Sequence, residues 1–334
     1  MKNTPRTIAE IVDRYRKLLG AVNGNAASVL GTEGVALEEK LLAEVLKYSG
    51  TVRPEQVNQI RALLRDIIAQ SSEKAGQLMA AHVKPGLKLV ASRTRATTTA
   101  LLDAVGHPRM RNALQAMREW EDRIETRAAI RTEFYAKRWA RSWSDSWSAN
   151  LRDVEDAIAE AALKRESWLD LSKRIAEPLN NIKEFAEGRL TPSGFPIGPK
   201  GEAVRIRGAV HPDAFARAYA RTSMGELSQI EGVSEAHEIG LRYFANVGLP
   251  GPTQSAICFL ACQEAPMTIE EWRRWRRNPG DPSQDGGLPK RHAFNCNDEL
   301  IGCPQAAIAM DWRQPSPIWK RSSAEAHLLE RMVA

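Results

Sequence analysis

Cysteine is scarce in this 334-residue chain, with four in all, and every one lies between Cys258 and Cys303. Four are too few to staple a fold of this size, so the cluster reads as metal ligands or free thiols in place of a disulfide framework. Long apolar runs are missing as well. Nothing approaches the roughly 20 consecutive apolar residues a bilayer helix needs, so no membrane span is expected. Residues 1–20 carry charges every few positions where a secretory signal has its apolar core, which points to synthesis in the cytoplasm. Glycine and proline are both absent from Arg109 to Glu177, a span that therefore reads as one or two very long helices. The chain also lacks a G-x-S-x-G, an H-E-x-x-H, a phosphate-binding glycine loop and a carboxylate cluster at metal-ligand spacing. A non-enzymatic role is the expectation.

What is present is the composition of an ordinary globular protein, 43% hydrophobic and 26% charged, in a length that suits two domains. The 47 basic residues exceed the 41 acidic ones only modestly, and the excess is diffuse. Such a surface permits contact with nucleic acid or an acidic protein without demanding either.

Apolar residues recur at helical spacing over 5–19, with Gly20 as the expected stop. Further helices are expected at about 37–48, at about 54–81 with Pro54 in its first turn, and at 87–105. Beyond the glycine-free span, GRLTPSGFPIGPKG is the best linker in the chain. Pro212-Asp213 open another helix, with Gly232 as its end. The run Leu241, Tyr243, Phe244 and Val247 suits a strand, and Thr268 with Glu271 forms a capping box for a short helix. A last amphipathic helix is expected over 323–333. The expected architecture is mainly α: a helical domain over 1–187, a linker or arm at 188–202, and a smaller α+β domain over 203–334 with an irregular, cysteine-containing end.

Four groups of residues carry candidate chemistry. Cys258-x3-Cys262 and His292-x3-Cys296 supply three thiolates and an imidazole, the closed tetrahedral set of structural zinc, with Cys303 as substitute ligand; unligated or disulfide-capable cysteines are the alternative, and a catalytic thiol a more remote one. Trp139, Trp143 and Trp147 are spaced by four and share a helix face, either as core or as an exposed anchor for another subunit. Trp272, Arg273, Arg274, Trp275, Arg276 and Arg277 alternate rings with guanidinium groups, which suits stacking on bases, pairing with phosphates, or docking on an acidic protein face; a solvated helix with its tryptophans in the core is the plainer reading. Glu226 and His237 are a weaker acid/base pair.

The pieces FARAYARTS, RYFANVG, ICFLAC and PKRHAFNC occur in the order helix, strand, cysteine turn and His/Cys closure. In this they resemble the C-terminal region of the Mu F-like minor head proteins, a phage head-morphogenesis family, over roughly 210–303. The chain departs from that pattern at Ser223, where the family usually has an acidic residue, and at Asn297-Asp298, in place of a Cys-Arg-Cys ending. The resemblance implies a structural virion protein, made in the host cytoplasm and located in the head or portal region, that aids head assembly or DNA delivery. The implied partners are portal or capsid proteins and packaged DNA, in an oligomeric assembly. A head-to-tail connector ring subunit and a virion-carried enzyme, such as a nuclease or transferase effector, are the alternatives.

Overall fold

The computed structural model describes residues 4–105, 110–180, 212–248, 261–274 and 299–312. The fold is mainly α, as the sequence predicts. Its helices are α1 (Thr4–Leu46), α2 (Pro54–Ala80), α3 (Val83–Val105), α4 (Met110–Asp122), α5 (Ile124–Lys164), α6 (Trp168–Asn180) and α7 (Pro212–Glu238). Strands β1 (Tyr243–Val247), β2 (Met267–Thr268) and β3 (Glu299–Cys303) follow, with the short α8 (Ile269–Arg274) after β2 and a 3-10 turn at Gln305–Ala309.

Helix α1 runs through Gly20 without a break, which corrects the expected stop and merges the first two expected helices. Val12 and Leu19 before the glycine, and Ala26 and Leu30 after it, are all buried. Tertiary packing of an apolar stripe outweighs the weak helix propensity of one residue. Farther along α1, a side chain at Gly31 would overlap the Asp213 carboxylate, and one at Gly34 would stand 3.0 Å from the Pro212 carbonyl. Those two glycines let α1 approach the start of α7.

The glycine-free span forms three helices instead of one or two. Arg165 ends α5 in the left-handed region with φ 54. The chain then turns back, and Trp168 N–H donates to Gly50 O at 3.0 Å while Val52 N–H donates to Glu166 O at 2.9 Å. Ser167 caps α6, its hydroxyl accepting from the Asp170 N–H at 3.1 Å. At α2, Pro54 occupies the first turn and the Gln56 side chain accepts the Arg53 N–H at 3.1 Å.

The sheet is antiparallel, ordered β2-β1-β3. Tyr243 faces Cys303 and Val247 faces Glu299 across β1 and β3. Alternation then sorts the side chains. Ala245, Val247, Ile301 and Cys303 pack with Ile8, Val12, Leu101 and Trp312 on one side. Phe244 and Leu300 pack with Ala236, Ala261 and Trp272 on the other.

The predicted linker at 188–202 and the predicted helix at 323–333 lie outside the described residues. The two helices flanking the linker, α6 and α7, share one core. Phe215, Tyr219, Met224 and Leu227 of α7 join the same apolar cluster as α1, α2, α3, α5 and α6. Helix α7 continues past Gly232, its expected end, to Glu238. A side chain at position 232 would overlap the Arg93 guanidinium, so this glycine serves a close crossing between α3 and α7.

Candidate functional site

The cysteines divide between the two faces of the sheet. Cys262 is buried on the Phe244 side, its sulfur accepting a hydrogen bond from Asn246 Nδ2 at 3.3 Å. Cys303 is buried on the opposite side among Ala245, Val247 and Ile301. Burial pushes its thiol up to about 12. Its expected role as substitute ligand is therefore corrected, because the sheet stands between it and Cys262. Cys258, His292 and Cys296 lie outside the described residues. Among the described residues no three His, Cys, Asp or Glu side chains converge as a metal site.

Trp139, Trp143 and Trp147 are at most 1% exposed. This corrects the reading of them as an exposed anchor and makes them core. Trp143 lies 5.3 Å from Phe215 and 5.2 Å from Tyr219, ring centre to ring centre. The Tyr219 hydroxyl donates to Trp139 O at 2.5 Å. The cause is the arrival of α7 on that face of α5, which only the tertiary fold supplies. Exposed apolar side chains on α5 sit elsewhere, at Ile130, Phe134 and Leu163.

Trp272 is also fully buried, with its indole N–H donating to Phe244 O at 2.7 Å. It anchors α8 to the sheet and offers no ring for stacking, which corrects its assignment to an interaction surface. The expected capping box is present: Thr268 Oγ1 accepts the Glu271 N–H at 3.2 Å, and Glu271 accepts the Thr268 N–H at 2.7 Å. The side chains of Arg273 and Arg274, and the whole of Trp275, Arg276 and Arg277, lie outside the described residues. Glu226 and His237 do not meet. Glu226 pairs with Arg138, and His237 Nδ1 lies 2.8 Å from Arg242 Nη1.

The most specialised arrangement is a buried polar seam where α3, α5, α7 and β3 come together. Arg93 of α3 donates to Ser228 Oγ at 2.6 Å and to Ser228 O at 3.2 Å, and pairs with Glu299. The Ser228 hydroxyl is 2.9 Å and 3.1 Å from the two Glu299 oxygens. All three residues are buried. Burying such charges costs several kcal/mol per ion, so the network holds only while each member keeps its partners.

One turn farther along α7, Glu231 accepts from Tyr135 at 2.9 Å and pairs with Arg131 at 3.1 Å. Burial first, and then the Glu231 charge, push the Tyr135 phenol well above its ordinary range. Another turn on, Glu235 is fully buried, and neither of its oxygens has a hydrogen bond of good geometry. The cavity beside Arg93, Ser228 and Glu299 is about 10 Å³, the space of about one water. These carboxylates are closed off from the surface. Their arrangement fastens elements together.

None of the charged seam residues stands out in the sequence. The one signal was that Glu231 and Glu235 follow Leu227 at four-residue steps, which is the phase of an apolar stripe. No protein-family model, no curated protein and no solved structure matches the chain.

Proposed function

We propose that the chain is a structural protein of a tailed-phage head, of the Mu F-like minor-head kind, located at the portal or the inner capsid face and aiding head assembly or DNA delivery. The observation that supports this reading is the order of elements across 212–262. Among the described residues a long helix is followed by a strand and then by a turn that bears Cys262, the order the resemblance implies. The long helices before it would set where the protein sits in an oligomeric assembly with portal or capsid proteins. The basic segment at 273–277 would touch packaged DNA or the portal.

Structural zinc at Cys258, Cys262, His292 and Cys296 belongs to the same reading. The hydrogen bond from Asn246 to the Cys262 sulfur suits a thiolate ligand, because metal-bound thiolates are ordinarily steadied by such donors. Metal analysis of the purified chain under reducing conditions tests it, with stoichiometric zinc expected and zinc-free folded protein as the contrary result.

The functional test is quantitative mass spectrometry of purified particles. The expected result is the chain in the head at a small or irregular copy number. A closed ring of copies at one vertex would replace the reading with a connector subunit, and a soluble, active chain absent from particles would replace it with an enzyme.

A further inference from the structure

Glu235 differs from the other buried carboxylates of the seam. Glu299 has Arg93 and Ser228, and Glu231 has Tyr135 and Arg131. Glu235 is as deeply enclosed, yet neither oxygen has a hydrogen bond of good geometry, the Thr94 hydroxyl being a loose donor at most. It sits near the end of α7, immediately before Ala236, whose carbonyl accepts the Leu241 N–H at 2.9 Å. Ala236 itself packs against Leu241 and Phe244. The end of α7 is thus joined to the start of β1 by a backbone hydrogen bond and by packing.

The charged and hydroxyl groups that act on Glu235 come from three helices. From α3 come Arg93 and Thr94, from α4 Glu121, and from α5 Arg127. Glu231 lies one turn away on α7 itself. The two cations already have partners. Arg93 holds Glu299 and Ser228, and Arg127 holds Glu238 at 2.6 Å while standing 3.8 Å from Glu231. Glu121 is itself an anion, paired with Arg95 at 3.2 Å. A negative charge on Glu235 would meet two carboxylates nearby, and although Arg93 and Arg127 would attract it, their pairing groups are already directed at Glu299, Ser228 and Glu238.

We propose that Glu235 is a protonation latch: as the neutral acid it lets the C-terminal half of α7 close on α3, α4 and α5, and its ionisation releases that half together with the sheet it carries. The proton leaves to solvent, and no bond other than O–H is broken. Burial pushes the carboxyl from 4.5 up to about 8, with Glu121 adding to the shift and Thr94, Arg93 and Arg127 opposing it. The sign follows directly. In the open form the carboxyl is solvated and titrates near its ordinary value, so closure is fully stable below about pH 4.5, weakens as pH rises, and levels off above about pH 8. This latch is independent of what the chain binds.

Hydrogen exchange of the full chain, corrected for the intrinsic pH dependence of exchange, tests it. Between about pH 5 and pH 8 the opening of 92–102 and 228–247 is expected to rise by up to about tenfold per pH unit, while 54–80 in α2 stays unchanged. Glu235→Gln should abolish the rise, and Glu235→Met serves if the glutamine variant does not fold. A rise that persists in either variant, or that spreads equally into α2, overturns the latch.

Discussion

The two halves of α7 are equally buried by opposite means. In the first half, Phe215, Tyr219, Met224 and Leu227 pack against the bundle, with Phe215 and Tyr219 meeting the indole of Trp143. In the second, Ser228, Glu231 and Glu235 face Arg93, Arg131 and Tyr135. Apolar contact has no required partner, so losing one side chain costs its own burial plus the space it leaves. A buried charge does have a required partner, so losing one member strands the other. The same helix thus has one end where damage is graded and another where it is all or none.

Trp143→Ala should have the largest effect. The residue is fully buried and touches both Phe215 and Tyr219, and emptying such a site costs about 4–5 kcal/mol. Urea unfolding would show it as a lower midpoint. Trp143→Phe should recover more than half of the loss, because the cost scales with the emptied volume and needs no particular polar partner.

Arg93→Met comes next, at about 3–4 kcal/mol, because Glu299 is left buried without its cation. The double change Arg93→Met with Glu299→Met should return to within about 1 kcal/mol of the parent or exceed it, since paired removal of a buried ion pair is often neutral or favourable. A double variant as weak as the single one would break the contrast between the two halves of α7. The seam would then be held by packing and not by partnered charge.

The same contrast explains what was legible in the sequence. Features set by near neighbours could be read directly: Pro54 at the start of α2, the Thr268–Glu271 cap, and β1 between its glycines. Features set by distant partners could not. The tryptophan row of α5 became core only because α7 lies on it. The separation of Cys262 from Cys303 depends on the register that sets Tyr243 opposite Cys303, and strand alternation does not name a strand's partner. The seam was hidden for a similar reason. A glutamate in a helix is ordinarily solvated, and nothing local to Glu231 or Glu235 announces that Arg93, Arg127 and Arg131 surround that face. Gly232 misled in the same way, for its reason is Arg93, far away in sequence.

The smallest effect, and one of opposite sign, belongs to α1, the helix that spans both regions. Ile8 and Val12 pack with the sheet, while Leu19, Leu30, Leu37 and Val45 belong to the bundle. Gly20 and Gly24 fall just past the point where one cluster gives way to the other, and a side chain at either position would meet nothing within 4 Å. Neither glycine is required by packing. Each weakens the helix through the backbone freedom it adds to the unfolded chain. Gly20→Ala and Gly24→Ala should therefore each stabilise the protein by about 0.5–1 kcal/mol, read as a higher urea midpoint. Gly76→Ala is the control and should destabilise, because its methyl group would overlap the Ala136 backbone carbonyl. If Gly20→Ala also destabilised, α1 would need its backbone freedom at that point, and the sheet end and the bundle would have to be treated as bodies that move on each other across it.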